Sequence, residues 1–301
     1  MIEGWTEVQV LVPHGWEELV AEALAHAPCT AVAFGPVSLG GEPPPEGFEL
    51  LRTYLPARED GDAARAALRA RLARLADAAG AGELRALAPR FRALPPEDYV
   101  TSWRKVWKPF RVGRLCVVTP GWSGARRAGD LQLLLEPKSA FGTGRHATTR
   151  ACLALLQERA LGGARVLDAG TGSGILAVAA ALLGAARCEG FDVDPESLPE
   201  ASALAAANGV GARCAFRRGG FEVLTHRDQG FDGVVANLYA DLLQDVARDL
   251  ARRLRPGGWF ALSGCVADKA AATRAALAAA GLRVGTERVR GRWHSFAGER
   301  G

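Results

Sequence analysis

Val166-Leu167-Asp168-Ala169-Gly170-Thr171-Gly172-Ser173-Gly174 is an apolar run that ends in a carboxylate and passes through three alternating glycines into the helical spacing of residues 175–183. It reads as a buried strand, a tight turn and the start of a helix. Glycine at every second position exceeds what a turn alone needs. Without side chains, Gly170, Gly172 and Gly174 let a ligand lie against backbone N–H groups at the positive end of a helix. Gly172-Ser173-Gly174-Ile175-Leu176-Ala177 also satisfies the dinucleotide form G-x-G-x-x-A, so a nicotinamide enzyme is one reading of the turn.

The same alternation extends to both sides. Apolar and helical segments follow one another as strand 131–135, helix 146–160, strand 165–169, helix 175–183, strand 187–193, helix 195–208, strand 233–236, helix 241–254, strand 259–264 and helix 267–280. Repeated strand–helix units predict an α/β, Rossmann-like domain with a parallel sheet between helices, over residues 131–301. Phe191-Asp192-Val193-Asp194-Pro195 closes the strand after the glycine turn with two carboxylates. Asp192 is the candidate for both ribose hydroxyls of a nucleoside ligand, and Asp194, ahead of Pro195, for a helix cap. The spacing so far leaves nicotinamide dinucleotide and S-adenosylmethionine both open.

The first third has another rhythm. Strand 6–13, helix 15–27, strands 30–34 and 48–55 around a Gly/Pro-rich loop, helix 62–78 and an extended stretch 83–91 give the order β-α-β-β-α-β, a ferredoxin-like α+β domain over residues 1–93. Pro95-Pro96 ends it, and residues 94–130, with Trp103, Trp107 and Trp122 but no sustained period, read as a linker.

Composition narrows the class. In 301 residues, 49% hydrophobic and 23% charged is ordinary for a globular protein of about two domains. No stretch approaches the ~18 apolar residues of a membrane span, and the opening residues lack a basic-then-apolar secretory signal, so a cytoplasmic protein is expected. Six dispersed cysteines read as buried thiols in a reducing compartment, and scattered histidines suggest no metal site. A net charge of +4 is too near balance to argue for nucleic acid, although Arg104, Lys105, Lys108 and Arg111 could face RNA or a protein.

The remaining motifs choose the ligand. Phe231-Asp232-Gly233-Val234-Val235-Ala236-Asn237-Leu238-Tyr239-Ala240 is a strand running into Asn-Leu-Tyr, and Leu254-Arg255-Pro256-Gly257-Gly258-Trp259 turns into the next strand. This is the order of an adenosylmethionine-dependent methyltransferase, and Asn-Leu-Tyr is similar to the Asn-Pro-Pro-Tyr of N-methyltransferases, with Leu238 in place of the first proline. Ala140-Phe141-Gly142-Thr143-Gly144-Arg145-His146-Ala147-Thr148-Thr149 follows Trp103-Arg104-Lys105-Val106-Trp107-Lys108-Pro109-Phe110-Arg111-Val112-Gly113. With these five motifs in order, the chain closely resembles the ribosomal protein methyltransferase family PrmA, which modifies large-subunit ribosomal protein L11.

The resemblance implies an N-terminal substrate-recognition domain, a linker and a class I methyltransferase domain that methylates lysine or α-amino groups with S-adenosylmethionine. It places Thr149, Gly170, Asp192 and Asn237 at the cofactor, with Gly172 and Gly174 in the same turn, and the loop of Phe141 and Thr143 over it. Asn237 and the Leu238 carbonyl would orient the target nitrogen, and Tyr239 would close the pocket. The chain departs from the family in Glu136-Pro137-Lys138-Ser139 before this loop and in Ala147 after His146. At a helix start His146 reads as a cap or packing residue in preference to a base. Expected partners are ribosomal protein L11 and a peripheral contact to ribosomal RNA, with no membrane and a monomeric enzyme. The rival readings are a lysine methyltransferase of another protein such as electron-transfer flavoprotein, a non-catalytic ribosome-associated binding protein and, more distantly, a nicotinamide dehydrogenase.

Overall fold

The computed structural model describes residues 4–24, 29, 33–35, 44–94, 109–125, 127–135, 144, 146–195, 197–225 and 228–301. The chain forms two compact units, Met1–Lys108 and Pro109–Gly301.

In the first unit, β1 (Trp5–Pro13), α1 (Glu17–Leu24), β2 (Ala33–Gly35), β3 (Phe48–Pro56), α2 (Asp62–Ala79) and β4 (Arg90–Leu94) follow in the expected β-α-β-β-α-β order. The sheet runs β2-β3-β1-β4 with antiparallel pairing throughout, the ferredoxin-like arrangement. Alternation along β1 turns Val8, Val10 and Val12 inward against Val20 and Leu24 of α1 and Leu68, Leu72 and Ala76 of α2. The last strand starts later than the pattern at 83–91 suggested. Residues Gly82–Ala86 form a 3-10 turn that buries Leu84, and Pro89, which has no N–H to give a ladder, precedes the strand.

The second unit holds β8 (Arg165–Ala169), β9 (Arg187–Asp192), β10 (Cys214–Arg218), β11 (Phe231–Asn237), β12 (Leu254–Val266), β13 (Leu282–Arg290) and β14 (Trp293–Arg300) in one sheet. Its order is β10-β9-β8-β11-β12-β14-β13, parallel as far as β12 and antiparallel beyond. Helices α3 (Ala147–Leu156), α4 (Ile175–Leu182), α5 (Ser197–Ala207), α6 (Ala240–Arg253) and α7 (Ala270–Ala279) connect and cover the strands. The chain reverses its direction of growth between β8 and β11, and in such sheets ligands bind outside the carboxyl ends of the strands at that point.

Three corrections concern this unit. The C-terminal half of the expected linker is folded: β5 (Phe110–Val112) and β6 (Leu115–Val118) form a hairpin at Gly113, and β6 pairs in parallel with β7 (Leu131–Leu134). Strands of three and four residues broken by glycine carry no readable period, yet Leu115, Cys116, Val117 and Val118 are fully buried. Consequently β7 lies in a separate three-stranded sheet, tied to the end of α5 by two hydrogen bonds between Asn208 and the Leu134 backbone, both 2.8 Å. Strands β10, β13 and β14 were not expected either, because arginine and glutamate interrupt their apolar positions.

Candidate active site

Strand β8 delivers Asp168 to the switch point, fully enclosed. Its Oδ2 accepts from Thr171 Oγ1 at 2.7 Å and from the Ala177 N–H, in the first turn of α4, at 3.1 Å. Its Oδ1 is buried with no hydrogen-bond partner among the described residues. Burial pushes this carboxyl up to about 7, against the two hydrogen bonds that favour its charge, and the Asp192 charge adds to the rise. The sequence displayed Asp168 at the strand end, but only burial reveals its character.

The glycine turn then closes on the chain itself. Gly170, Gly172 and Gly174 have φ of +69°, +51° and +79°, which other residues reach only with strain. The Gly170 N–H goes to the Phe191 carbonyl at 3.0 Å, the Gly172 N–H to Asp192 Oδ2 at 2.7 Å and the Gly174 N–H to the Thr171 carbonyl at 2.8 Å. These N–H groups were expected to face a ligand, and the chain uses them internally. A Cβ on Gly174 would fall 2.8 Å from the Ala201 Cβ, so that glycine serves the close approach of α4 and α5.

This arrangement separates the two ligands that the motif left open. A pyrophosphate needs free N–H groups at the helix start and no like charge nearby. Here Asp168 sits on the first turn of α4 and Asp192 on the Gly172 N–H, so two carboxylates occupy that ground. S-adenosylmethionine carries an α-ammonium group and no phosphate. It fits a turn lined with carboxylates, and the unpartnered Asp168 Oδ1 is an acceptor suited to its cationic end.

Asp192, at the end of β9, has a second task that its spacing did not show. One oxygen holds the Gly172 N–H and the other the Asp194 N–H at 3.0 Å, while the residue stays half-buried. A carboxylate has about four acceptor sites, so the ribose hydroxyls still find room. Asp194 is exposed, with Oδ2 at 3.4 Å from Ser197 Oγ, but α5 begins at Ser197, so Pro195 is not its first residue as the expected cap at Asp194 required. Asp192→Ala is expected to weaken cofactor binding at least tenfold by calorimetry, through about 1.5–3 kcal/mol for each charge-assisted hydrogen bond before solvent compensates. Unchanged affinity in a folded variant would move the ribose role to Asp194.

Across the switch point, β11 ends in Asn237, whose Nδ2 donates to Thr149 Oγ1 at 3.3 Å. Thr149 is buried in the first turn of α3, so two residues 88 positions apart, each of which the resemblance placed at the cofactor, are hydrogen-bonded to one another. The Leu238 N–H goes to the Ser263 carbonyl at 3.0 Å, and a Cβ on Gly170 would lie 2.5 Å from Leu238 Cδ2. The space left by Gly170 is therefore filled by Leu238, which presses the Asn-Leu-Tyr turn onto the glycine turn. Tyr239 follows at the start of α6, 57% exposed, on the rim.

His146 is the N-cap of α3. Its Nδ1 accepts from the Thr148 N–H at 3.4 Å and lies 2.6 Å from Thr148 Oγ1, and its ring meets Trp293 edge-on at 5.1 Å between centroids. Burial pushes the imidazole down to about 4, so it is neutral near pH 7 and too weak a base to take a proton from an ammonium. Phe141 and Thr143 lie outside the described residues, as do Arg104, Lys105, Lys108 and Lys138. At the other end of that loop, a Cβ on Gly144 would meet Ile175 Cδ1 at 2.8 Å and Phe110 Cζ at 2.9 Å, so Gly144 packs against α4 and β5. The Arg111 cation is paired with Asp130, which removes one of the four charges proposed to face RNA.

The family model described as ribosomal protein L11 methyltransferase (PrmA) matches residues 4–301. The chain belongs to the PrmA family. It is 40% identical over 253 residues to the ribosomal protein L11 methyltransferase of Pelotomaculum thermopropionicum, covering 84% of this chain and 80% of that protein. With the Streptococcus pneumoniae relative of the same name it shares 32% over 306 residues, 98% of this chain and 95% of the other. The crystal structure of the ribosomal protein L11 methylase from Lactobacillus delbrueckii subsp. bulgaricus superimposes with a TM-score of 0.59 at 28% identity, over 64% of this chain and 99% of that one. As a PrmA enzyme the chain is an S-adenosylmethionine-dependent methyltransferase of ribosomal protein L11. The dehydrogenase, the flavoprotein methyltransferase and the non-catalytic binding protein are set aside.

The buried Asp168 carries a pH prediction. Burial holds its folded-state value above the ordinary 3.8, so its contribution to stability is full below that value and is lost as pH rises toward about 7. Asp168→Asn is expected to be more stable than the parent at pH 8 by roughly 2–4 kcal/mol, with the difference shrinking by pH 5. The same variant should bind S-adenosylmethionine more weakly. Denaturant unfolding at the two pH values tests this, and a difference independent of pH would show that Asp168 is ionised throughout this range, its carboxyl not raised by burial.

Proposed function

We propose that PrmA catalysis here is amine N-methylation, with Asn237 Oδ1 and the Leu238 carbonyl orienting the lone pair of a lysine or α-amino group of ribosomal protein L11. The supporting observation is the Asn237–Thr149 hydrogen bond: with Nδ2 committed to Thr149, the acceptor Oδ1 is left for the target nitrogen. When bound, S-adenosylmethionine supplies an electrophilic sulfonium methyl. The chain's task is then to hold the nitrogen within about 3–3.5 Å of that carbon on one axis and to exclude water. Two oxygen acceptors suit a neutral amine, which offers two N–H donors and keeps its lone pair free. The amine must first lose its ammonium proton, from a reference value of about 10.4 for lysine or 7.7–8.0 for an α-amine. Neutral His146 is spent on its cap, so that proton goes to solvent.

Among its described residues the first unit supplies no glycine turn and no paired acid, and its role in this reading is to hold the folded substrate. A monomeric enzyme is part of the same reading. No helix among the described residues is long and apolar enough to cross a membrane, and a ribosomal protein substrate favours the cytoplasm. Peripheral contact with ribosomal RNA would rest on Arg104, Lys105 and Lys108. Mass spectrometry of ribosomal protein L11 after incubation with the enzyme and labelled cofactor tests the chemistry. Methyl groups are expected on lysine side chains or the α-amine, and label on carboxylates or thiols alone would overturn it.

A further inference from the structure

Leu238 is held between two glycines, and the second of them lies on another strand. Strands β11 and β12 are parallel neighbours, with Asn237 opposite Ser263. Immediately after Ser263, β12 bulges: its register against β14 shifts between Leu262 and Cys265, and Gly264 takes φ +96°. The Ser263 hydroxyl is pinned to Ser295 at 2.7 Å with both side chains buried, and the Ser263 carbonyl receives the Leu238 N–H at 3.0 Å. A Cβ on Gly264 would stand 2.2 Å from the Leu238 oxygen, 2.7 Å from its carbonyl carbon and 3.1 Å from its nitrogen. These are backbone atoms and cannot swing aside as a side-chain tip can. On the far side the Leu238 side chain abuts Gly170, so the peptide has nowhere to retreat without disturbing the glycine turn.

Neither the turn motif nor a helix contact requires glycine at 264. What occupies the missing side chain's place is the peptide of Leu238. We propose that Gly264 is a positioning residue for methyl transfer: its bare Cα in the β12 bulge seats the Leu238 peptide where Asn237 and the Leu238 carbonyl can accept the target amine. Gly264 has this role only if those two groups are the acceptors. It touches neither substrate nor cofactor, and acts through the aim of the Leu238 carbonyl. A bulge in a strand neighbouring a site commonly re-aims a group in this way.

The test compares full-length Gly264→Ala and Asn237→Ala with the parent enzyme. Calorimetry gives cofactor stoichiometry and affinity, and kinetics on ribosomal protein L11 gives KM and the single-turnover rate per bound cofactor. For Gly264→Ala the expected result is full stoichiometry, affinity and KM within about threefold, and a rate per bound cofactor reduced at least tenfold. A merely structural role would lower the bound fraction and leave that rate unchanged. Because alanine at φ +96° could fail to fold, the double variant Leu238→Ala with Gly264→Ala is made in parallel. Removing the side chain against Gly170 gives the turn room to yield, and this variant should bind cofactor and still transfer slowly. A Gly264→Ala rate within about twofold of the parent, beside a slow Asn237→Ala, would overturn the role of Gly264 alone. A native rate in Asn237→Ala would overturn the acceptor assignment and this inference with it. Loss of cofactor binding in both Gly264 variants would place the residue in the fold and contradict its part in positioning.

Discussion

Asn237→Ala is expected to slow methyl transfer to ribosomal protein L11 about a hundredfold or more, roughly 2.7 kcal/mol of barrier. Asn237 ends β11 at the switch point, its amide fixed by Thr149 on one side and followed by a peptide wedged between Gly170 and Gly264. An acceptor held by its surroundings needs no reorganisation as the nitrogen becomes cationic, and removing one such polar group from a preorganised site costs this much in other enzymes. Cofactor affinity should also fall, because Asn237 stands beside Thr149 at the expected cofactor site. The single-turnover rate at saturating cofactor separates the two effects. A rate within about twofold of the parent, ~0.4 kcal/mol, would remove Asn237 from the chemistry.

A truncated chain beginning at Pro109 is expected to fold, to bind S-adenosylmethionine with near-parent affinity and to lose at least about a hundredfold in methylation of ribosomal protein L11. The boundary is set by structure, because β5 and β6 pair with β7 and would be lost from a chain begun at the onset of the parallel sheet. Every described group at the candidate site lies beyond residue 109. A folded protein substrate must be delivered by contacts remote from the reacting amine, and the first unit is the part of the chain free to make them. Cofactor titration beside a transfer assay on the same truncated protein checks both halves. Retained methylation would put recognition in the second unit, and lost cofactor binding in a folded protein would make the first unit part of the cofactor site.

The legible part of the sequence was whatever repeats or alternates. The β-α-β-β-α-β order of the first unit, the glycine turn after β8 and the carboxylate ending β9 rest on periods and residue types that short windows carry. Strands β5, β6 and β10 did not show, since β5 and β6 are only three and four residues long and β10 has no fully buried residue to mark an inward face. At the site, Asp192, Thr149 and Asn237 were named from motifs and the resemblance, and the fold brings Thr149 and Asn237 into contact. What the sequence could not convey is how the glycines are used. A motif says that a side chain is absent, whereas coordinates say what fills the gap: Leu238 at Gly170, Ala201 at Gly174 and the Leu238 peptide at Gly264. Asp168 was hidden for a related reason, as its unusual acidity follows from complete burial beside a second carboxylate.

The measurement that bears most directly on this account is a crystal structure of the enzyme with bound S-adenosylhomocysteine. The ribose hydroxyls are expected on Asp192, the cationic end of the amino acid moiety at Asp168, and the sulfur facing the Asn237–Leu238 turn beside Thr149. A ligand seated elsewhere, or one whose sulfur points away from Asn237, would contradict it.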